Sequence, residues 1–248
     1  MSTETSPYTR HLPIEGTYNF RDVGGYPTAN GGTTRWRTLF RSDSLHALTE
    51  AGRGAVDDLG LRAAIDLRYE RELDRWPSVL AGHPRITYRN RPVGPALAPF
   101  AEPAETLEEL NVYLLDRCQA FVASILRDLA DARAYPALVS CAGGKDRTGL
   151  IVALLLSLAG VLREHVVADY VLSRIDATRS AEVHELLTAE GHDGKKVAAF
   201  LECRPETMGH TLDHLDRRYG GAEGYVREIG LSDDAMGAIR SALVEPAR

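Results

Sequence analysis

Ser140-Cys141-Ala142-Gly143-Gly144-Lys145-Asp146-Arg147-Thr148-Gly149 follows the apolar run Ala137-Leu138-Val139 and precedes Leu150-Ile151-Val152-Ala153-Leu154-Leu155-Leu156. The first run reads as a buried strand and the second as the body of a buried helix. The residues between them form a strand-to-helix turn, with a cysteine at its entrance and an arginine at its exit. A glycine-rich turn that opens onto a helix N-terminus aims several backbone N–H groups at one point. The helix dipole places about half a positive charge there, and Arg147 adds a full one. The stretch predicts an anion trap with a nucleophilic sulfur in its floor, and the anion that suits it is phosphate.

Hydrolysis of a phosphate monoester is very slow without a catalyst. Passing the phosphoryl group through a covalent intermediate divides one high barrier into two lower ones. A free thiol ionises near pH 8.5, and cationic or helix-N-terminal settings lower that to about 3.5–7.5. Cys141 has both kinds of neighbour. The Cys-x5-Arg spacing lets N–H groups of Ala142, Gly143, Gly144, Lys145, Asp146 and Arg147 take the oxygens of one tetrahedral phosphate. Arg147 can clamp two of them with its planar fork. Thr148 can give a hydroxyl hydrogen bond to the sulfur and ease its departure in the second step. Gly143 and Gly144 permit the tight backbone and its close approach to a ligand.

A lone cysteine before a helix is ordinarily core packing, and a bare Cys-x5-Arg arises by chance. Placement between strand and helix, paired glycines and the continuation Lys145-Asp146-Arg147-Thr148-Gly149 favour the phosphate loop. A Walker A reading fails. Asp146 follows Lys145 where that motif needs Ser or Thr, and Val139 stands where it needs glycine.

The 248 residues suffice for one well-buried domain, taken here as 14–248 after a loosely held arm over 1–13. Apolar and charged fractions of 44% and 26% are ordinary for a globular protein. A net charge of −6 argues against a nucleic-acid partner, although the loop itself predicts a local basic cleft. The longest apolar run, 150–159, is too short to cross a bilayer, so no stable membrane insertion is expected. Residues 1–10 are polar and show no signal peptide, which predicts a cytoplasmic location, with export lacking a recognisable signal as the alternative. Cys118 and Cys203 fall in expected helices and read as small core residues. No Cys-x-x-Cys or His-Glu-x-x-His pattern occurs, so neither a metal nor another cofactor is expected.

Elsewhere the pattern alternates strands and helices. Residues 14–26 read as a strand ending at Gly24-Gly25. Asn30-Gly31-Gly32 reads as a turn, and 35–42 as the returning strand. Thr49 caps a helix through Val56 and Leu59 that Gly60 closes. Residues 61–67 read as a central strand with Asp66 near its C-terminal end, and 86–88 as a further strand. Residues 92–103 carry four prolines and predict an exposed loop. Thr106 and Glu109 form a capping box before one long amphipathic helix running to about Ala132. Beyond Gly160 the chain is helical over 161–172, 177–189, 195–202, 205–219 and 232–243. The class is α/β, with a helical C-terminal part in which 173–204 is either a lid over the strand ends or a plain helical hairpin packed on the core.

Cys141-Ala142-Gly143-Gly144-Lys145-Asp146-Arg147-Thr148-Gly149 resembles the signature of cysteine-dependent phosphatases. It is most similar to the atypical bacterial protein-tyrosine and phosphoinositide phosphatases with a Cys-x-x-Gly-Lys-Asp-Arg-Thr-Gly loop. Asn19-Phe20-Arg21-Asp22-Val23-Gly24-Gly25, Phe40-Arg41-Ser42-Asp43 and Asp66-Leu67-Arg68 with Glu72 resemble further motifs of that group. So do Ala168-Asp169-Tyr170 and Tyr219-Gly220 with Gly224-Tyr225. The resemblance implies a phosphatase fold with a central, mostly parallel sheet, flanking helices and a helical lid. It implies metal-independent activity on phosphotyrosine, reaching to phosphoserine, phosphothreonine and phosphoinositides, so the partners are phosphorylated proteins or phosphoinositides.

Ser140 departs from the family, which usually places histidine before the cysteine. Serine brings a hydrogen bond but no charge, which predicts a higher pH optimum than in relatives with histidine. It also keeps open a second function: a phosphate-binding pseudophosphatase with weak or no turnover. A sulfurtransferase is a third reading, which Arg147 and Thr148 argue against. Leaving-group oxygen needs a proton, and Trp76-Pro77-Ser78 lacks the acid of a Trp-Pro-Asp loop. Asp66 and Asp146 are the candidates, each of which could instead orient an arginine or the loop. Lys145 is either a contact for a second phosphate or a solvated loop lysine.

Overall fold

The computed structural model describes residues 8–93, 104–173, 184–185, 188–189, 191 and 193–247. Strands β1 (Arg21–Asp22), β2 (Thr33–Thr34) and β3 (Leu39–Ser42) come first. Helix α1 (Glu50–Asp58) starts at Thr49, whose hydroxyl accepts the Gly52 N–H. Then follow β4 (Ala63–Asp66), α2 (Glu70–Arg75) and β5 (Thr87–Asn90). Helices α3 (Leu107–Arg117) and α4 (Gln119–Leu129) lead to β6 (Ala137–Ser140). The remainder is helical: α5 (Asp146–Leu158), α6 (Arg163–Val171), α7 (Gly194–Leu201), α8 (Pro205–Tyr219), α9 (Ala222–Glu228) and α10 (Asp233–Leu243). A last short strand, β7 (Val244–Glu245), pairs with β2.

The main sheet has the order β1-β3-β6-β4-β5, parallel throughout except for β1 at its edge. Such sheets are buried on both faces, and strand alternation divides the side chains between two cores. Leu39, Ile65 and Val139 join the core built with α3, α4, α5 and the C-terminal helices. Phe40, Ala64 and Leu138 join a second with Phe20, Val56 and Ile86. Helix α5 is apolar on nearly every side and buried almost throughout, as a central helix must be. Register places Ser42, Ser140 and Asp66 side by side at the ends of β3, β6 and β4. The turns after these strands therefore leave the sheet together at its C-terminal edge, where parallel sheets bind ligands.

Several boundaries differ from the sequence expectation. The long helix to Ala132 is two helices with a break at Cys118 (φ −111°, ψ 25°). Both halves bury their apolar faces in the same core, so the periodicity continues through a one-residue bend and conceals it. Cys118 lies at this junction and Cys203 beyond the end of α7, not within helices, and both are buried. Of the expected strand 14–26 only Arg21–Asp22 pairs in the sheet, because neighbouring N–H groups turn to carboxylates. Tyr18 and Asn19 donate to Asp43, and Gly24 donates to Asp22.

The returning strand begins only at Leu39. Arg37 takes a positive φ of 56° and its N–H also goes to Asp22. Residues 8–13 of the expected loose arm are tied down: Arg10 lies over the Tyr26 ring, and the Asp22 N–H donates to its carbonyl. Residues 94–103 of the expected loop and most of the expected helix 177–189 lie outside the described residues. Among the described residues no helix is long and apolar enough to cross a membrane.

Candidate active site

The loop between β6 and α5 has its carbonyls bonded to groups behind and beside it. The Ala142 carbonyl accepts the Ser44 N–H at 3.1 Å. The Gly143 carbonyl accepts Asn19 Nδ2 at 2.9 Å and the Gly144 carbonyl accepts Arg41 Nη2 at 2.7 Å. The Lys145 carbonyl accepts the Gly149 N–H at 2.7 Å, the first bond of the helix. With the carbonyls committed, the N–H groups are free for one another's side of the loop. Gly144 N–H donates to Cys141 Sγ at 3.2 Å. Among the described residues the N–H groups of Ala142, Gly143, Lys145, Asp146 and Arg147 donate to no protein acceptor. Successive N–H groups without an acceptor beside a sulfur are the donors an anion nest needs, and Cys141 is 3% exposed. Gly144 adopts φ +64°, and a Cβ there would stand 2.5 Å from the Ser42 carbonyl, so only glycine fits the turn.

Arg41, which holds the Gly144 carbonyl, is itself held. Its Nη1 pairs with Asp169 Oδ2 at 2.5 Å, while Arg21 Nε meets Asp169 Oδ1 at 3.3 Å and the Tyr26 hydroxyl donates to the same oxygen. Arg21 also donates to Asn19 Oδ1 and to Ser173 Oγ. Burial alone would raise the Asp169 carboxyl, but Arg21 and Arg41 outweigh it and hold the group at about 2, against an ordinary 3.8. Asp169→Asn would leave two buried guanidiniums without a counter-charge, which costs about 3–5 kcal/mol. The expected result at pH 7 is a melting temperature lowered by roughly 10 °C. A depressed carboxyl stabilises the fold above its unfolded value and loses that contribution as pH falls through the folded one. The melting gap between wild type and variant should therefore hold down to about pH 4 and narrow toward about pH 2. A variant melting together with wild type at pH 7 would contradict this.

Arg147 is fixed by a partner from α2. Nη1 and Nη2 donate to the two oxygens of Glu72, each at 2.7 Å, and Nη1 also reaches the Leu67 carbonyl at 3.2 Å. A guanidinium has five N–H donors, so Nε–H and one Nη2–H remain along one edge, the pair that suits two oxygens of a phosphate. Burial pushes Arg147 down, yet the Glu72 bond, followed by the charge of the Cys141 sulfur, raises it above its ordinary range. Burial likewise pushes Glu72 up, and Arg147 holds it below the ordinary carboxylate range.

The two candidate acids differ. Asp66 accepts Arg68 Nε on Oδ1 at 2.9 Å, and Arg68 Nη2 and the Tyr88 hydroxyl on Oδ2 at 2.7 and 3.0 Å. Both its oxygens are engaged. Arg68 in turn donates to Ser44 Oγ at 2.8 Å, the residue whose N–H holds Ala142. Asp146 opens α5 with a side chain 26% exposed. Its Oδ1 accepts Lys145 Nζ at 2.6 Å and the Tyr170 hydroxyl at 3.2 Å, whereas Oδ2 has no partner among the described residues. Lys145 is not a solvated lysine: it is buried, and its Nζ also donates to the Glu202 carbonyl at 3.0 Å. Thr148 Oγ1 is fully buried with no hydrogen-bond partner among the described residues. Ser140 is buried between Ser42 and Asp66.

Residue-type reasoning alone did not assign Asn19, Arg41, Ser44, Arg21 or Asp169 to the loop. All but Ser44 lie in the motifs that accompany the loop in the family resemblance, and the hydrogen bonds above join those motifs to the loop.

Comparisons with known proteins bear on the family. A tyrosine-protein phosphatase of Nostoc commune is 31% identical, covering 79% of this chain and 70% of its own. The triple specificity protein phosphatase PtpB of Mycobacterium tuberculosis is 28% identical, covering 95% of this chain and 99% of its own. The solved catalytic core of Siw14 aligns with 94% of this chain and 95% of its own at a TM-score of 0.44 and 13% identity. A model of the tyrosine phosphatase family matches residues 12–245, which takes in the loop and every residue that tethers it. The chain therefore belongs to the tyrosine phosphatase family, and its reaction is removal of phosphate from phosphorylated substrates.

Proposed function

We propose that the protein hydrolyses phosphotyrosine through a cysteinyl-phosphate on Cys141, without a metal ion. The observation that carries this reading is the loop's polarity: carbonyls tethered by Ser44, Asn19 and Arg41, the Gly144 N–H on Sγ, and neighbouring loop N–H groups that meet no acceptor among the described residues. In the first step the Cys141 thiolate attacks phosphorus and the bond from phosphorus to the leaving oxygen breaks. Asp146 gives its proton to that oxygen and becomes a carboxylate. In the second step this carboxylate takes a proton from water, the water oxygen attacks phosphorus, and the phosphorus–sulfur bond breaks to release phosphate and thiolate. The loop N–H groups and the free edge of Arg147 carry the charge of the transferring group, and the Gly144 N–H, which donates to Sγ, serves the departing sulfur; the hydrogen bond expected from Thr148 to the sulfur is not made.

Asp146 suits the acid role because Oδ2 is unengaged among the described residues, and Asp66 suits the positioning of Arg68 because both of its oxygens are engaged. Engagement of Lys145 by Asp146 and Glu202 leaves it poorly disposed toward a second phosphate, which favours phosphotyrosine over phosphoinositide. Two bonds join the end of segment 173–204 to the site: Lys145 to the Glu202 carbonyl, and the Cys203 thiol to the Tyr170 carbonyl at 3.2 Å. They support its role as a lid. The test is hydrolysis of para-nitrophenyl phosphate and a phosphotyrosine peptide over pH 5–8 in excess EDTA. Full turnover in the chelator is expected. Abolition by EDTA would overturn the metal-free mechanism. Binding of vanadate with no turnover at any pH would establish the pseudophosphatase that Ser140 kept open.

A further inference from the structure

We propose that Tyr170 is a positioning residue for proton donation by Asp146; the inference rests on the assignment of Asp146 as the acid. Tyr170 lies in the last turn of α6 and is 1% exposed. Its hydroxyl and the Lys145 ammonium converge on one oxygen of Asp146, Oδ1, at 3.2 and 2.6 Å. That convergence fixes the carboxyl's rotation and leaves Oδ2 to carry the proton. The tyrosine is held in place from three sides. A Cβ at position 149 would stand 2.9 Å from Tyr170 Cδ2, so the last glycine of the loop is what admits the ring. The Tyr170 carbonyl accepts the Cys203 thiol. The preceding residue is Asp169, pinned by Arg21 and Arg41. Burial, then the nearby Asp146 charge, push the phenol's ionisation far above its ordinary value, so it remains a donor at working pH.

The hydroxyl does more than hold a rotamer. As the leaving oxygen takes the proton from Oδ2, negative charge appears on the carboxylate, and hydrogen bonds to an ionised acceptor are the stronger ones. The bond from Tyr170 is therefore tighter in the transition state than before it, which is the condition for a contribution to rate. An acidic leaving group departs without a full proton and does not draw on this contribution.

Tyr170→Phe keeps the ring and removes the bond. We compare kcat/KM on phenyl phosphate, a poor leaving group, with para-nitrophenyl phosphate, a good one. The expected loss is about tenfold on phenyl phosphate, equivalent to about 1.4 kcal/mol, and less than about twofold on para-nitrophenyl phosphate. The ratio of the two losses does not depend on how much of the variant is folded. Equal losses on both substrates, or none on phenyl phosphate, would overturn the proposal. Asp146→Asn, measured alongside, separates the two assignments. A steep leaving-group dependence in Asp146→Asn with none in Tyr170→Phe removes only the role of Tyr170. A flat response in Asp146→Asn removes the acid assignment and this proposal with it. Adding Tyr170→Phe to Asp146→Asn should cost nothing further on phenyl phosphate, since one residue acts through the other.

Discussion

Cys141→Ser should lower kcat on para-nitrophenyl phosphate by ~10⁴-fold or more. The serine hydroxyl can occupy the same place over the loop, but an alcohol is not ionised near neutral pH and is a far weaker nucleophile than a thiolate. Apart from the Gly144 N–H, which a serine hydroxyl can also accept, no other hydrogen bond of the loop goes to the sulfur. The N–H groups of Ala142, Gly143, Lys145, Asp146 and Arg147, and the edge of Arg147 left by Glu72, are unchanged by the substitution. Phosphate or vanadate should therefore bind the variant within a few-fold of wild type. The combination of lost turnover and kept binding is the signature of a nucleophile. Turnover within tenfold of wild type would remove Cys141 from that role.

Arg147→Ala should lower kcat/KM by at least about 10³-fold, about 4 kcal/mol. Two contributions are lost together. One is the hydrogen-bonded clamp on the transferring group. The other is the full positive charge beside the sulfur, in a site where Arg147 and Glu72 are each only about one-sixth exposed (15% and 16%). The alanine variant also leaves the half-buried Glu72 without its partner, which places a negative charge where an anion must bind. Arg147→Lys should recover little, because an ammonium cannot satisfy both Glu72 oxygens and a phosphate from one planar fork. Steady-state kinetics on the lysine variant check this point. Activity within tenfold of wild type would mean that charge alone suffices, and that the Glu72 bond does not orient a clamp.

The loop was legible because its chemistry is local. Cysteine, paired glycines and arginine fall within a single strand-to-helix turn, and the Gly144 N–H meets the Cys141 sulfur there, so spacing alone reports much of the loop. The centre of the sheet was legible for the same reason: β4 and β6 are short, mostly apolar runs that end near the residues the site needs. What was not legible depends on pairs far apart in the chain. Arg41 reaches Gly144 across 103 positions, and Asn19 reaches Gly143 across 124. No local pattern reports such a bond, although the motif resemblance flagged both residues without giving them a task. Lys145 shows the limit most plainly. A loop lysine reads as solvated or ligand-facing, and here it is buried because Asp146 and the Glu202 carbonyl satisfy its ammonium. The bend at Cys118 was hidden because apolar periodicity records which face is buried, not whether the helix is continuous.

Rapid acid quench during turnover of a phosphotyrosine peptide, followed by mass spectrometry of the digested protein, tests whether phosphate passes through sulfur. The account predicts a phosphate adduct on the peptide that carries Cys141, present during turnover, absent before substrate is added and absent in Cys141→Ser. Full turnover with no adduct on Cys141, or with the adduct on a different residue, would contradict it.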